Sequence, residues 1–294
     1  MKIRKAVIPV AGKGTRFLPA TKEIPKEMIP IVNKPMIHYA VEEAVLSGIE
    51  QIIFVTSSGK SSIEDYFDRN LELEQFLEKN GKSHLATEIR EIGQMTEVTT
   101  VRQKEQLGLG HAINCAKDLI GDETFAVILA DDLVVNKEPV TKQLLTISRE
   151  NEGASVIGVM EVERSETYKY GIVDGQPIDS KKETYKMNKM VEKPKPEEAP
   201  TTLATPGRYI LGPEIFSYLE RIPKGVGGEY QLTDAINLMA SEMNVLAHIF
   251  KGTRFDTGSI KGYLDATMEF ALMDEEMRPD IINLMKEKIT AYEN

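Results

Sequence analysis

Cysteine is nearly absent from this sequence, whose 294 residues contain a single thiol at Cys115. One cysteine cannot form an intramolecular disulfide, and it cannot build a cysteine-based zinc site. A chain that folds without disulfides fits a reducing compartment, so we expect a cytoplasmic protein. Cys115 falls on the apolar face of a predicted helix, where we interpret it as a small core residue rather than a nucleophile.

Long apolar runs and an excess of positive charge are also missing. Because no apolar stretch reaches about 18 residues, we expect no membrane-spanning helix, and the apolar run near the N-terminus is too short for a signal peptide. The 36 basic and 46 acidic residues give a net charge of −10. An acidic protein is a poor general binder of nucleic acid or anionic membrane, so a local group of cations indicates a site for a small anion.

Such a group lies between Pro9 and Lys26, directly after a short apolar stretch that is predicted to be the first strand. Gly12 and Gly14 permit tight turns, in which successive backbone N–H groups form a concave nest for anions. The cations of this segment are Lys13, Arg16, Lys22 and Lys26. We interpret the segment as a polyphosphate cradle at the carboxyl end of the strand; the alternative is a basic surface loop that contains two glycines.

Two well-known phosphate motifs are incomplete here. Gly59-Lys60-Ser61 has the tail of a Walker loop, but Phe54 stands where that loop needs its first glycine. Phe17 stands where a dinucleotide fingerprint beginning at Gly12 needs its third glycine. The sequence therefore favours neither a P-loop NTPase nor a nicotinamide dehydrogenase.

The pattern around the cradle predicts an α/β fold. Apolar residues at helical spacing follow Pro35 and stop at Gly48, and the next strand is predicted at 51–55. Strand, cradle, helix and strand in this order begin a doubly wound, mostly parallel, Rossmann-like sheet, which binds ligands at the carboxyl ends of its strands. We also expect a polar insertion at 69–95, a helix at 111–119, a smaller sheet extension after about residue 161, a loop at 194–206 that is too polar for the core, and C-terminal helices.

The segment Ala11-Gly12-Lys13-Gly14-Thr15-Arg16, followed by Pro25-Lys26-Glu27, resembles the signature of the sugar-1-phosphate nucleotidylyltransferases. The resemblance covers almost the whole chain. The residues of this segment are similar in particular to those of the bacterial uridylyl branch of that family. It implies an enzyme that uses Mg²⁺ and converts UTP and α-D-glucose 1-phosphate into UDP-glucose and pyrophosphate. It also implies one nucleotidyltransferase domain at 1–294, with a nucleotide-binding part at about 1–160, a sugar-phosphate-binding part at about 161–258 and C-terminal helices at 259–294.

The same resemblance assigns the cradle to the nucleotide. Arg16 and the loop amides would hold the β- and γ-phosphates, and Lys26 would neutralise charge at the α-phosphate. The other nucleotide-binding positions that it implies here are Ala11, Gly12, Gly14 and Thr15. The sugar phosphate attacks the α-phosphorus in line, so the enzyme would act by positioning and charge neutralisation without a protein nucleophile.

Asp131 and Asp132 end a predicted buried strand at 125–130. Because unpaired buried charge is costly, the strand must deliver these carboxylates to a polar edge, either as magnesium ligands or as a solvated turn. Asp256, in Arg-Phe-Asp-Thr-Gly, supplies a further carboxylate. The resemblance implies that Asp131 and Asp256 hold the metal; Asp132 is the adjacent carboxylate, and the choice between Asp131 and Asp132 as the main ligand stays open.

Glu192 and Lys193 precede Pro194 at the end of another predicted strand, where strand alternation would put them on opposite faces. By themselves they could be an exposed ion pair before a turn. In the family that this chain resembles, the glutamate accepts sugar hydroxyl groups and the lysine binds the phosphate of the sugar. Gly171 matches a family position at which the backbone meets the sugar.

Gln103 and Gly108 suit recognition of a base. A glutamine offers a donor and an acceptor, which matches the edge of uracil, and a glycine lets the backbone approach the ring. The family pattern assigns the base to Gln103, and Gln106 is the competing choice. We interpret His111 as a structural or surface residue, since no acidic or thiol partner is near it in sequence.

Two other functions remain open. A thymidylyltransferase acting on glucose 1-phosphate would share the cradle, although the length of the 69–95 insertion and the Gly-Leu-Gly-His spelling favour the uridylyl branch. A catalytically silent regulatory homologue would only bind nucleotide sugar. The presence of the charged residues Arg16, Lys26, Lys193, Asp131 and Asp256 argues against this second alternative. The resemblance implies a homodimer or homotetramer, and we expect no nucleic-acid or membrane partner.

Overall fold

The structure, a computed structural model, describes residues 2–293. The first half of the chain alternates strands with helices. In chain order its elements are β1 (Lys5–Pro9), β2 (Pro30–Ile31), β3 (Lys34–Pro35), α1 (Met36–Leu46), β4 (Gln51–Thr56), α2 (Ser61–Phe67), α3 (Leu71–Lys79), α4 (Ser83–Ile92), β5 (Glu97–Arg102), α5 (Leu109–Asn114), α6 (Lys117–Ile120), β6 (Phe125–Ile128), β7 (Asp132–Val135), α7 (Val140–Glu150) and β8 (Ser155–Glu161).

The second half begins with four strands and ends with two helices. Its elements are β9 (Gly171–Pro177), β10 (Thr184–Glu192), β11 (Leu203–Thr205), β12 (Arg208–Leu211), α8 (Ile215–Arg221), α9 (Leu232–Glu242), β13 (Val245–Ile249), β14 (Thr253–Asp256), α10 (Ile260–Met273) and α11 (Arg278–Glu293). Over the described range 2–293, no helix is both long enough and apolar enough to cross a bilayer.

A ten-stranded sheet runs through both halves of the described chain, in the order β11-β9-β10-β13-β8-β12-β6-β1-β4-β5. Strands β6, β1, β4 and β5 pair in parallel, as the strand–helix–strand pattern predicts. Beyond β6 the pairing is antiparallel except between β8 and β13. The predicted α/β class is confirmed: the nucleotide-side strands β6, β1, β4 and β5 are parallel, and the strands beyond β6 form a mixed part of the same sheet.

Helices cover both faces of the sheet, because successive strand residues point to opposite sides. Val7 faces a core formed with α5, α8 and α9, and its neighbours Ala6 and Ile8 face a core formed with α1, α2 and α7. A third apolar cluster, which includes Leu133 and Phe255, joins the two-stranded antiparallel sheet of β7 and β14 to α10. This doubly wound packing fixes the carboxyl ends of β1 and β6, at which the candidate site lies.

Three local predictions need correction or refinement. The loop at 194–206, predicted to be too polar for the core, ends in the buried strand β11, which pairs with both β8 and β9. The helix predicted at 111–119 is two short helices, α5 and α6. The 69–95 insertion contains the helices α3 and α4, and its buried Glu74 accepts hydrogen bonds from Arg69 and Arg90.

Candidate active site

The predicted cradle leaves the carboxyl end of β1 and turns at its glycines. Gly14 has a φ of +62°, and a Cβ there would lie 3.0 Å from the Cβ of Lys26, so both conformation and space require glycine. A Cβ at Gly12 would meet nothing within 4 Å. Gly12 is therefore not needed for packing within the described protein, and its bare backbone faces open space that a ligand can fill.

A cavity of about 1170 Å³ opens in front of the cradle. The predicted nucleotide-binding residues that line it are Ala11, Gly12, Thr15, Lys26 and Gln103. Its volume is above the range of ordinary small-molecule pockets, and its wall is rich in backbone and cationic groups. The cradle and Gln103, the residue predicted to contact the base, are far apart in sequence but line the same cavity.

The predicted base-binding loop is tightly held. The amide nitrogen of Gln103 donates to the Gly108 carbonyl at 3.1 Å and lies 3.0 Å from Nδ1 of His111. Gly108 has a φ of +96°, and a Cβ there would lie 2.7 Å from the Cβ of Glu229. The competing Gln106 also lines the cavity, and its amide nitrogen donates to the Ala11 carbonyl at 2.6 Å.

A second cavity, of about 680 Å³, collects the predicted sugar and metal residues. Its lining includes Gly171, Glu192, Lys193, Asp131 and Asp256. A Cβ on Gly171 would lie 3.0 Å from the sulfur of Met190, so the strand packs closely there. Glu192 is oriented by the hydroxyl group of Thr233, which donates to its carboxylate at 2.7 Å.

The predicted placement of Glu192 and Lys193 on opposite faces is wrong. Lys193 follows the last residue of β10 and has a φ of +47°, so strand alternation ends before it. Its ammonium lies 3.6 Å from the Glu192 carboxylate, and both side chains line the same cavity. The Lys193 side chain is 61% exposed, which leaves its charge accessible to an anionic ligand.

Arg16 lies on the sugar side of the cradle. It lines the second cavity rather than the first, and its guanidinium donates to the Gly258 carbonyl at 3.4 Å. The prediction assigned Arg16 to the β- and γ-phosphates with the loop amides. The structure places those amides and Arg16 at different cavities, with the side chain turned toward the carboxylates.

The two cavities meet at an ion pair. Lys26 lines the first cavity, Asp131 lines the second, and the Lys26 ammonium lies 2.5 Å from the Asp131 carboxylate. Burial alone would raise the pKa of Asp131, but the Lys26 charge holds the pKa of that carboxyl below its usual value. Burial likewise would lower the pKa of Lys26, and Asp131 raises it above its usual value. Both groups are therefore charged at neutral pH.

Asp131 and Asp256 converge on the space beside Gly258. A Cβ at Gly258 would lie 3.0 Å from one Asp131 oxygen and 3.1 Å from one Asp256 oxygen. Over residues 2–293, no group of three or more His, Cys, Asp or Glu side chains could hold a metal. Two convergent carboxylates suit Mg²⁺, which is usually held by one or two carboxylates and completed by substrate phosphates and water. The residues present therefore fit the ion that the resemblance implies.

Asp132 has a different partner from Asp131. Its carboxylate accepts hydrogen bonds from the guanidinium of Arg254, which also donates to the Tyr170 hydroxyl at 2.7 Å. Burial raises the pKa of Asp132 to about 7, against the opposing effect of Arg254. Asp132 pairs in register with Asp256 across the antiparallel β7–β14 pair, which holds the segments of the two predicted metal ligands side by side.

Sequence reasoning missed two residues near the site. Lys60, noted only as the tail of an incomplete Walker loop, is buried; its ammonium donates to the Val10 carbonyl and, at 2.8 Å, to Glu27. Lys60 thereby links Val10, at the start of the cradle, to Glu27, directly after the last residue of the cradle. His111, interpreted as structural or surface, contacts the predicted base-reading residue Gln103. The signal available for His111 was its place directly after Gly108-Leu109-Gly110 in the same loop.

The parallel half of the sheet carries a glycine-rich cradle, and the cavities beside it are lined by cations and two carboxylates. Such an arrangement is typical of enzymes that bind phosphorylated ligands. The chain belongs to the nucleotidyl transferase family, whose pattern matches residues 5–272. This membership confirms the predicted family and the prediction of a nucleotidyltransferase enzyme. Members of this kind generally use a divalent metal.

The chain is similar to proteins with more specific names. The UTP–glucose-1-phosphate uridylyltransferase 1 of Staphylococcus saprophyticus is 52% identical over 286 residues, 97% of this chain and 99% of the relative. A UTP-bound UGPase from Acinetobacter baumannii superposes with a TM-score of 0.90 at 43% identity, over 97% of this chain and 99% of that one. A UDP-glucose pyrophosphorylase complexed with UDP-glucose superposes with a TM-score of 0.84 at 43% identity. The match covers 93% of this chain and 100% of that one.

Proposed function

We propose that this chain transfers the uridylyl group of UTP to α-D-glucose 1-phosphate, releasing pyrophosphate and UDP-glucose. The observation that carries the proposal is the pair of cavities that adjoin at Lys26 and Asp131. One has a backbone cradle for a nucleotide, and the other has a carboxylate and an exposed lysine for a sugar phosphate. Relatives about half identical over 97% of the chain carry the corresponding enzyme name.

The reaction joins the contents of the two cavities. An oxygen of the sugar phosphate forms a bond to the α-phosphorus of UTP, and the bond from that phosphorus to the bridging oxygen of pyrophosphate breaks. In the proposed assignment Lys26 neutralises charge at the α-phosphate, and Lys193 binds the phosphate of glucose 1-phosphate. Glu192, oriented by Thr233, accepts hydroxyl groups of the sugar. Because both reactants are anionic, positioning and charge neutralisation carry most of the rate enhancement.

We propose that Asp131 and Asp256 hold Mg²⁺ when the substrates are bound. The ion supplies electrostatic stabilisation to the phosphate oxygens and a template that orients them. The amides of the cradle bind the β- and γ-phosphates in this assignment, with Ala11, Gly12, Gly14 and Thr15 shaping the backbone and Gln103 and Gly108 contacting the base. Arg16, at the second cavity, supplies positive charge where the sugar phosphate meets the α-phosphate. The whole chain would act as one domain, assembled as a homodimer or homotetramer in the cytoplasm.

Pyrophosphate release tests the proposal directly. The protein is incubated with glucose 1-phosphate, Mg²⁺ and either UTP or dTTP, and the sugar nucleotide is identified by chromatography. We expect UDP-glucose and an equal amount of pyrophosphate, with UTP the better substrate. Preference for dTTP would make the protein a thymidylyltransferase, and nucleotide binding without turnover would make it a silent homologue; either result would overturn the proposal.

A further inference from the structure

We infer that His111 is a positioning residue that fixes the orientation of the Gln103 side-chain amide and thereby the preference for a uracil base over cytosine. The inference rests on the proposed function, in which Gln103 contacts the base. It concerns a residue that the family resemblance leaves without a role.

The contacts of Gln103 determine which end of its amide points where. A backbone carbonyl can only accept a hydrogen bond, so the 3.1 Å contact with Gly108 requires the amide nitrogen. The same nitrogen lies 3.0 Å from Nδ1 of His111, which must then accept and carries its ring proton on Nε2. Both hydrogens of the nitrogen are thus engaged by the protein. Because Gln103 is only 6% exposed, a rotated amide would set its oxygen against the Gly108 carbonyl and would keep the His111 contact only if the ring proton moved to Nδ1.

His111 is held in place by Tyr230, which is itself bonded to the loop around Gly108. Its ring stacks on Tyr230, with centroids 6.3 Å apart and planes at 28°. The backbone of Tyr230 donates to Leu107 at 2.8 Å and accepts from Gly110 at 2.9 Å, so it bridges the residues on either side of Gly108. His111 therefore presents Nδ1 from a position that is fixed relative to the base-binding loop.

The chemical consequence is an acceptor aimed at the base. With its nitrogen occupied, Gln103 has its amide oxygen left for a ligand in the first cavity, which it lines. Uracil carries N3–H, which donates to such an oxygen; cytosine has an unprotonated N3 that would face it with another acceptor. Thymine shares N3–H with uracil, so this device separates uracil and thymine from cytosine and not from each other.

Two variants separate the hydrogen bond from the ring. His111→Phe keeps an aromatic ring beside Tyr230 and removes the acceptor. His111→Asn removes the ring, but its side-chain oxygen is bonded to Cγ as Nδ1 is, so it restores an acceptor near the same point. For each variant, kcat and KM are measured with UTP and with CTP at saturating glucose 1-phosphate, and calorimetry measures binding of both nucleotides.

We expect His111→Phe to reduce the UTP-to-CTP ratio of kcat/KM about tenfold, mainly through KM, which corresponds to loss of one constrained hydrogen bond. His111→Asn should recover most of the ratio. Equal losses with both nucleotides, or an unchanged ratio, would overturn the inference, because a purely structural role predicts no change in preference. Wild-type protein that binds UTP but makes no UDP-glucose would count against the proposed function alone, since the calorimetric base preference would still test His111.

Discussion

The ammonium of Lys26 and the carboxylate of Asp131 lie 2.5 Å apart, across the boundary between the two cavities. In the proposed reaction these two residues serve different partners, the α-phosphate and the metal. Their pairing keeps both charged and pointed at the boundary while the site holds no substrate. Under the proposed assignment, substrate binding would exchange this ion pair for a contact of Lys26 with phosphate and of Asp131 with the metal.

The first prediction concerns this lysine. Lys26→Met keeps an unbranched side chain one atom shorter and removes its charge, so we expect turnover to fall about 10²- to 10³-fold, the usual effect of losing one transition-state charge contact. Lys22→Met is the matched control, because Lys22 lines the same cavity from an exposed position. Steady-state kinetics with saturating substrates checks both variants. Similar activity of the two would show that Lys26 has no special role.

A second prediction uses the open space at Gly12. Because an added Cβ there meets nothing within 4 Å, Gly12→Ala should leave the thermal midpoint nearly unchanged. We expect it to raise the KM for UTP, since the methyl group would occupy space that the phosphates need. The KM for glucose 1-phosphate, measured at saturating UTP, should stay constant. An unaltered KM for UTP would place the phosphates away from Gly12.

Lys193 supports a third prediction. If its exposed ammonium binds the phosphate of the sugar, Lys193→Met should raise the KM for glucose 1-phosphate and lower turnover, with little effect on UTP binding. Lys195→Met is the control, since Lys195 is also exposed and pairs with Glu198 instead. Initial-rate measurements over a range of glucose 1-phosphate concentrations separate the two. Equal kinetics for both variants would remove Lys193 from the site.

The sequence was sufficient to predict the parts of the fold that follow local rules. The cradle was recognisable because Gly12 and Gly14 directly follow an apolar strand, and the first βαβ unit because its apolar residues recur at helical spacing before Gly48. The pair Asp131-Asp132 was expected at a polar edge because a buried strand ends there, although only the family resemblance singled out Asp131. In each case a short stretch of chain contains the whole physical constraint.

Other features depend on contacts that no local pattern contains. Strand β11 is buried because β8 and β9 flank it, although the surrounding residues 194–206 are rich in proline and charge. Arg16 lies beside Gly258, 242 residues along the chain. Lys193 leaves the strand alternation through a positive φ that its own side chain does not favour. These placements follow from tertiary packing.

A fourth prediction concerns stability in acid. Glu43 is buried beneath the site, where its carboxylate binds Arg208 at 2.8 Å and the Thr141 hydroxyl at 2.6 Å. Arg208, 1% exposed, also donates to the carbonyls of Leu129 and Asp132, on either side of Asp131. Burial opposes the charge of Glu43, but Arg208 holds the pKa of its carboxyl below the ordinary 4.5.

Because that pKa is depressed in the folded state, the pair stabilises the protein fully above about pH 4.5 and loses its contribution as pH falls through the folded pKa. Glu43→Gln leaves Arg208 unpaired and should lower the free energy of unfolding by about 3 kcal/mol at pH 7. The difference from wild type should shrink below pH 4.5. Urea unfolding at pH 7 and pH 4 measures both effects, and a difference that does not depend on pH would contradict the assignment.

The last prediction tests the metal site through its three aspartates. Asp131→Asn and Asp256→Asn keep the shape of each side chain and remove one of the two convergent charges. We expect either change to reduce turnover at least about 100-fold at saturating substrates, because each carboxylate fixes the position of the Mg²⁺ that the substrate phosphates bring to the site. Asp132→Asn instead neutralises a carboxyl that faces the mostly buried Arg254 rather than the space beside Gly258.

Because burial raises the pKa of Asp132 to about 7, its carboxyl is about half protonated at neutral pH, and Asn keeps an oxygen that can accept from Arg254. Asp132→Asn should therefore change the thermal midpoint little at pH 7 and retain turnover that saturates with Mg²⁺. For all three variants we would measure turnover as a function of Mg²⁺ concentration and, separately, thermal unfolding. A metal ligand and a structural residue give different patterns in these two measurements. If Asp132→Asn were inactive while folded and Asp131→Asn were active, the ligand would be Asp132. If Asp256→Asn behaved as wild type, the convergence of carboxylates at Gly258 would have no part in metal binding.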